Sequence, residues 1–117
     1  KPERIRMADP YELPTFRKLL KEEMKISEPS VIITTRPCVL TPEFERRRPL
    51  KVVDEQCNGC ARCLEVGCPA ITVTRRERQA RASGNVVELA WTAIEQAVCT
   101  GCDICAKACA RGAIVPA

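Results

Sequence analysis

CNGCARCLEVGCP, residues 57–69, and CTGCDICAKAC, residues 99–109, decide how this chain of 117 residues is read. The first seven positions of each stretch match at an offset of 42, from Cys57 to Cys99, and the same step carries Val52 onto Ile94. Both copies then end on an Ala-Ile step, Ala70-Ile71 and Ala113-Ile114. A repeat of ligand-type residues together with their apolar neighbours predicts a pseudo-twofold unit with two equivalent sites. Eight of the nine cysteines fall into these sets: Cys57, Cys60, Cys63 and Cys68, then Cys99, Cys102, Cys105 and Cys109.

Three thiols at successive two-residue gaps let a tight loop turn its sulfurs and backbone N–H groups toward one face of an iron–sulfur cube. A more distant cysteine supplies the fourth ligand, and in the two-cluster pattern it serves the other cluster. Applied here, one 4Fe–4S cluster takes Cys57, Cys60, Cys63 and Cys109, and the second takes Cys99, Cys102, Cys105 and Cys68. Zinc is the weaker reading, because it favours two separated cysteine pairs, and a triple run leaves a thiol over. Disulfides are weaker still, since they need an oxidising compartment and bridge cysteines three apart poorly. Gly59 and Gly101 stand between the first two ligands of each set, where a positive φ lets the backbone approach the inorganic sulfides. Val52, Val53, Leu64, Ile71, Ile94, Ile104, Ile114 and Val115 are expected to form the apolar shell that tunes potential. The formal charge of +4 is no nucleic-acid signal. Eight thiolates bring about −8 and two clusters return about +4, which leaves the loaded chain near neutral.

The rest of the sequence excludes more than it specifies. Aromatic residues make up 3% of the chain, Tyr11, Phe16, Phe44 and Trp91, so an ordinary self-sufficient core is not expected. No run approaches the ~20 apolar residues of a membrane-spanning helix. No apolar signal-peptide core opens the chain. Histidine is absent, which removes His-based triads and His metal ligands. The first residue is Lys1 and not Met, as in a piece of a longer chain.

Residues 1–40 carry one cysteine and residues 52–117 carry eight, with a Pro- and Arg-rich linker at 41–51. Arg46-Arg47-Arg48 within it reads as a solvated charge run. Ile5–Ala8 reads as a strand, Leu13-Pro14-Thr15 as a helix entry, and Phe16, Leu19, Leu20 and Met24 as one helical stripe. Val31–Thr35 reads as a strand buried on both faces. Such a β-α-β unit cannot bury its own apolar faces and is expected to lean on a further sheet. Pro69–Val98 reads as a surface excursion, with Val86–Ile94 a strand or short helix. Cys38, with no spacing partner, reads as a small buried hydrophobe.

Residues 51–117 resemble a bacterial-type 2[4Fe–4S] ferredoxin domain. They depart from it in the four residues before Cys68 and in Ala110, where proline is usual after the last cysteine. The whole chain resembles the C-terminal end of the large subunit of the indolepyruvate:ferredoxin oxidoreductase family. The residues that carry this are Asp9-Pro10-Tyr11, Pro29-Ser30-Val31-Ile32-Ile33, Arg36-Pro37-Cys38 and Gly67–Ile71.

The resemblance implies an α+β chain: a ferredoxin-like pseudo-twofold domain preceded by a β-α-β remnant of an α/β thiamine-diphosphate-binding domain. It implies an electron relay that is not catalytic alone, with thiamine diphosphate and magnesium held elsewhere in the parent complex. A thiamine-binding catalytic domain or subunit, other subunits of the complex and a soluble ferredoxin acceptor would be its partners, in the cytoplasm, with no membrane or nucleic acid. A free-standing two-cluster carrier is the alternative, or an iron–sulfur subunit of another complex such as a phenylglyoxylate-type dehydrogenase or a hydrogenase.

Overall fold

Pro14 sits in the first turn of helix α1, Leu13–Glu23, where its missing N–H costs nothing. Asp9 shapes the entry: its Oδ1 accepts from the Tyr11 N–H at 2.9 Å and its carbonyl from the Glu12 N–H at 3.1 Å. Arg36 closes the same turn, with Nε and Nη2 each 2.9 Å from the Asp9 carboxylate and the guanidinium 4.2 Å over the Tyr11 ring. The computed structural model describes residues 2–117, in two units, one running to Phe44 and the other Glu45–Ala117. Together they make a mixed α+β chain.

In the first unit, β1 (Ile5–Ala8) and β2 (Val31–Thr34) pair in parallel, from Ile5 opposite Val31 to Ala8 opposite Thr34. At the end of α1, the buried Glu23 accepts from Arg4 at 2.7 Å and Arg6 at 3.4 Å. This ties the helix to the start of β1. Of the expected helical stripe only Leu19 is buried, and Met24 is 84% exposed. The expectation that the second strand is covered on both faces does not hold either. Ile5, Met7, Val31 and Ile33 are 45–70% exposed, and strand alternation puts all four on one face. Two strands and one helix supply a single covering layer.

The second unit is closed crosswise. Strand β3 (Leu50–Val52) precedes the first cysteine run and pairs antiparallel with β6 (Ile114–Pro116), which follows the second, so Val52 faces Ile114. Strand β4 (Ile71–Ala80) leaves the first run and pairs with β5 (Val86–Ile94), which enters the second, so Ile71 faces Ile94. Local geometry repeats at the sequence offset. The Val53 N–H donates to Ala113 O at 2.7 Å and the Glu95 N–H to Ala70 O at 2.8 Å. The Cys57 N–H reaches Val53 O at 3.1 Å and the Cys99 N–H reaches Glu95 O at 3.0 Å. A 3₁₀ turn, Arg62–Val66, stands where the second half has helix α2, Ile104–Ala108. Gly67, the extra residue before Cys68, ends that turn at φ 73°.

Leu50, Ile71, Cys105 and Ile114 form the buried centre, with Val52, Leu64, Ile94 and the cysteines 63, 68, 99 and 109 packed against it. Ile104, expected in that shell, is 41% exposed and faces outward. The stretch read as a linker does not stay loose to its end: Leu50 is a strand residue, 2% exposed. Arg46–Arg48 are exposed as expected, yet their backbone is used, since the Arg47 N–H donates to Thr100 O at 3.3 Å. The excursion is the β4–β5 ribbon, kinked by a bulge between Val73 and Arg75 and exposed along residues 72–86.

Gly67→Ala and Gly101→Ala place the same methyl on near-identical backbones, φ 73° and 72°. The first meets nothing within 4 Å, and the second lies 2.6 Å from Arg48 O. Thermal unfolding under anaerobic conditions should show about 1–2 kcal/mol lost for Gly67→Ala, the left-handed backbone cost alone. Gly101→Ala should lose at least ~1 kcal/mol more by overpacking.

Candidate metal-cluster site

Both cysteine loops are shaped by two left-handed residues: Gly59 and Ala61 at φ 71° and 60°, Gly101 and Asp103 at 72° and 67°. Alternating hands of backbone turn a short loop so that several N–H groups and side chains face one hollow. A Cβ on Gly59 would stand 3.0 Å from Leu89 Cβ and 3.2 Å from the Trp91 ring. A Cβ on Gly101 would meet the Arg47–Arg48 backbone. Glycine is therefore required on the protein side of each loop, where another segment packs close. The positive φ expected at both glycines is present, 71° and 72°.

Trp91 floors the first loop. It is buried, its Nε1 donates to Cys57 O at 3.3 Å, and the Arg75 guanidinium lies 4.1 Å over its ring. The Ala90 N–H adds a bond to Gly59 O at 2.9 Å. Neither Trp91 nor Thr92 was expected to take part in the site. The signal was available: the one tryptophan of an aromatic-poor chain stands in a strand otherwise read as a spacer. In the second loop the Leu50 and Gly101 N–H groups each donate to Cys99 Sγ at 3.4 Å. Arg47 pairs with Asp103 at 3.3 Å beside it.

Cys57, Cys60, Cys63 and Cys109 line one cleft, together with Arg62, Arg111, Thr92 and apolar residues of both halves. The cleft holds about 360 Å³, open solvent included. Among the described residues no three Cys, Asp or Glu side chains are placed to hold a single metal ion.

The other four thiols are coupled electrostatically. Burial pushes the Cys105 thiol up to about 11, and negative charge on Cys102, Cys99 and Cys68 adds to the rise. Each foursome draws three members from one run and one from the other. Thiolates in this number, partly buried and receiving N–H···S bonds, suit a soft, multiply charged iron–sulfur group. Cys60 is exposed and Cys105 buried. Cys38 is exposed, which overturns its reading as a buried hydrophobe; the loop that carries it has no layer above it.

The chain is similar to curated proteins named indolepyruvate oxidoreductase subunit IorA. That of Methanothermobacter marburgensis is 35% identical over 103 residues, 87% of this chain and 14% of the relative. Those of Pyrococcus horikoshii and Archaeoglobus fulgidus are each 28% identical, over 93% and 97% of this chain and 16% and 17% of theirs. The chain thus spans about one-sixth of the length of these relatives, and it is related to a region of that subunit. No family model and no solved structure matches it. Among the described residues no helix is long and apolar enough to cross a membrane.

Alkylation of the metal-free chain, read peptide by peptide by mass spectrometry, should find the exposed Cys38 modified early and Cys105 last at pH 8. The reactive species is the thiolate, so modification of Cys105 should keep accelerating until about pH 11. Stability should follow the same group. Below about pH 9 folded and unfolded chains both keep this proton. Between 9 and about 11 only the folded chain keeps it, so the metal-free fold should weaken there as pH rises.

Proposed function

We propose that this chain is the iron–sulfur electron-transfer module of a 2-oxoacid:ferredoxin oxidoreductase of the indolepyruvate or arylpyruvate type. In this reading Glu45–Ala117 is a ferredoxin-like, pseudo-twofold domain for two 4Fe–4S clusters. The first is held by Cys57, Cys60, Cys63 and Cys109, and the second by Cys99, Cys102, Cys105 and Cys68. The observation that carries it is the division of eight thiols into two foursomes that each cross between the repeats. Hydrogen bonds repeated at the offset of the sequence motif support the pseudo-symmetry. Similarity to the indolepyruvate oxidoreductase subunits supports the choice of complex.

Bound clusters supply one-electron storage each, which lets a two-electron oxidation feed one-electron carriers. The protein's share is to hold them, dry them and set their potentials. Leu50, Ile71, Ile94 and Ile114 keep water from the ligands at the centre, while the exposed Cys60 brings one site to the surface. Thiamine diphosphate and magnesium would sit elsewhere in the complex, with a soluble ferredoxin or similar acceptor outside it, in the cytoplasm. The uncovered face of Ile5, Met7, Val31 and Ile33 favours a part of a larger α/β assembly over a free-standing carrier. A parallel sheet is normally covered on both faces.

Anaerobically prepared protein should be brown and contain about eight iron and about eight sulfide per chain, four of each per cube. Cys60→Ala should remove at least half of that iron, and Cys38→Ser should leave it unchanged. Colourless, iron-free material, or zinc in place of iron, would overturn the proposal.

A further inference from the structure

We propose that Thr92 is a redox-positioning residue: its hydroxyl donates a hydrogen bond to the Cys63 thiolate and raises the reduction potential of the cluster held by Cys57, Cys60, Cys63 and Cys109. This rests on the reading above that those four thiols hold a cluster. Thr92 is 4% exposed, and its Oγ1 lies 3.3 Å from Cys63 Sγ. Between two neutral groups either atom could donate. A ligated cysteine has no proton, so the bond then runs only from Thr92 to sulfur. Such a bond stabilises negative charge on sulfur, and the reduced cluster, one electron more negative, gains more from it than the oxidised one. Hydrogen bonds to the sulfurs are among the levers that set these potentials.

The repeat itself provides the contrast. The offset of 42 that joins Cys63 to Cys105 also joins Leu50 to Thr92. Leu50 is 2% exposed and belongs to the same buried apolar cluster as Cys105. At matching positions, one half therefore sets an alkyl group and the other a hydroxyl. The position is structurally prepared, because Thr92 stands opposite Val73 in the β4–β5 ladder, one residue after the Trp91 that floors the loop. Backbone N–H groups reach Cys99 in the other half. Unlike those, the Thr92 contact can be removed without touching the main chain.

The test uses the full chain loaded anaerobically, with both potentials measured by spectroelectrochemical titration followed by electron paramagnetic resonance, each cluster taking one electron from the titrant. Thr92→Val keeps shape and removes the hydroxyl, Thr92→Ala removes it without adding a methyl, and Thr92→Ser restores it. With iron equal to the parent, Val and Ala should move one potential to a more negative value and leave the other where it was, while Ser stays close to the parent. Two unmoved potentials, two equal shifts, or loss of iron in both Val and Ala would overturn this role and leave the cluster assignment standing. An iron-free parent chain would overturn the assignment itself, and this inference with it.

Discussion

Neither half of the cysteine-rich unit can close alone, because each run is fastened by strands that belong to the other. Val52 faces Ile114 and Ile71 faces Ile94, so the segment entering one run pairs with the segment leaving the other. The same crossing delivers Cys109 to the cleft of Cys57, Cys60 and Cys63, and it brings Cys68 within the electrostatic reach of Cys105. Strand register and the crossing of the cysteines between the two runs are one constraint expressed twice. A one-residue slip in β3–β6 would turn Leu50 and Val52 to the other face of the ribbon and move Cys109 with the strand that follows it.

That constraint also explains why the buried centre is so small and so rich in sulfur. Four apolar residues of moderate size would not hold a unit of this length, and four further cysteines pack around them. Thiols that must become thiolates are poor core material: Cys105 already resists ionisation through burial and its neighbours' charge. A positive charge held among these thiols would favour their ionised form against both effects.

Much of this was legible in the sequence. The spacing of eight cysteines, the offset of 42 and the flanking apolar residues pointed to a pseudo-twofold unit, but the strand pairing that closes it was not read from them. Ile5–Ala8 and the helix entry at Leu13-Pro14 were readable from periodicity and proline placement, while Val86–Ile94, open between strand and short helix, is a strand. What escaped were properties set by neighbours. Part of the need for glycine at 59 and 101 comes from Leu89 and Trp91 and from Arg47–Arg48, which pack close to the two loops. The exposure of Cys38 and Met24 reflects a missing layer, and no pattern within the segment records whether a layer is present. Trp91 and Thr92 escaped because a strand between two motifs reads as a spacer until its register is known.

The first unit raises the complementary question of what its surface is for. Leu19 is its one buried apolar residue among those described, and domains of about 40 residues seldom stand without a staple or a partner. Four apolar side chains at 45–70% exposure on one sheet face, each worth on the order of 1.5–3 kcal/mol on full burial, amount to several kcal/mol of unused driving force. Marginal stability for a whole domain is only about 5–15 kcal/mol. The Asp9–Arg36–Tyr11 turn and the buried Glu23 clamp fix the shape of the unit, but a half-exposed pair such as Asp9–Arg36 adds little to its stability. The shape is held carefully while much of its apolar surface stays open. On that physical ground the β-α-β segment lacks one covering layer, on the face that carries Ile5, Met7, Val31 and Ile33.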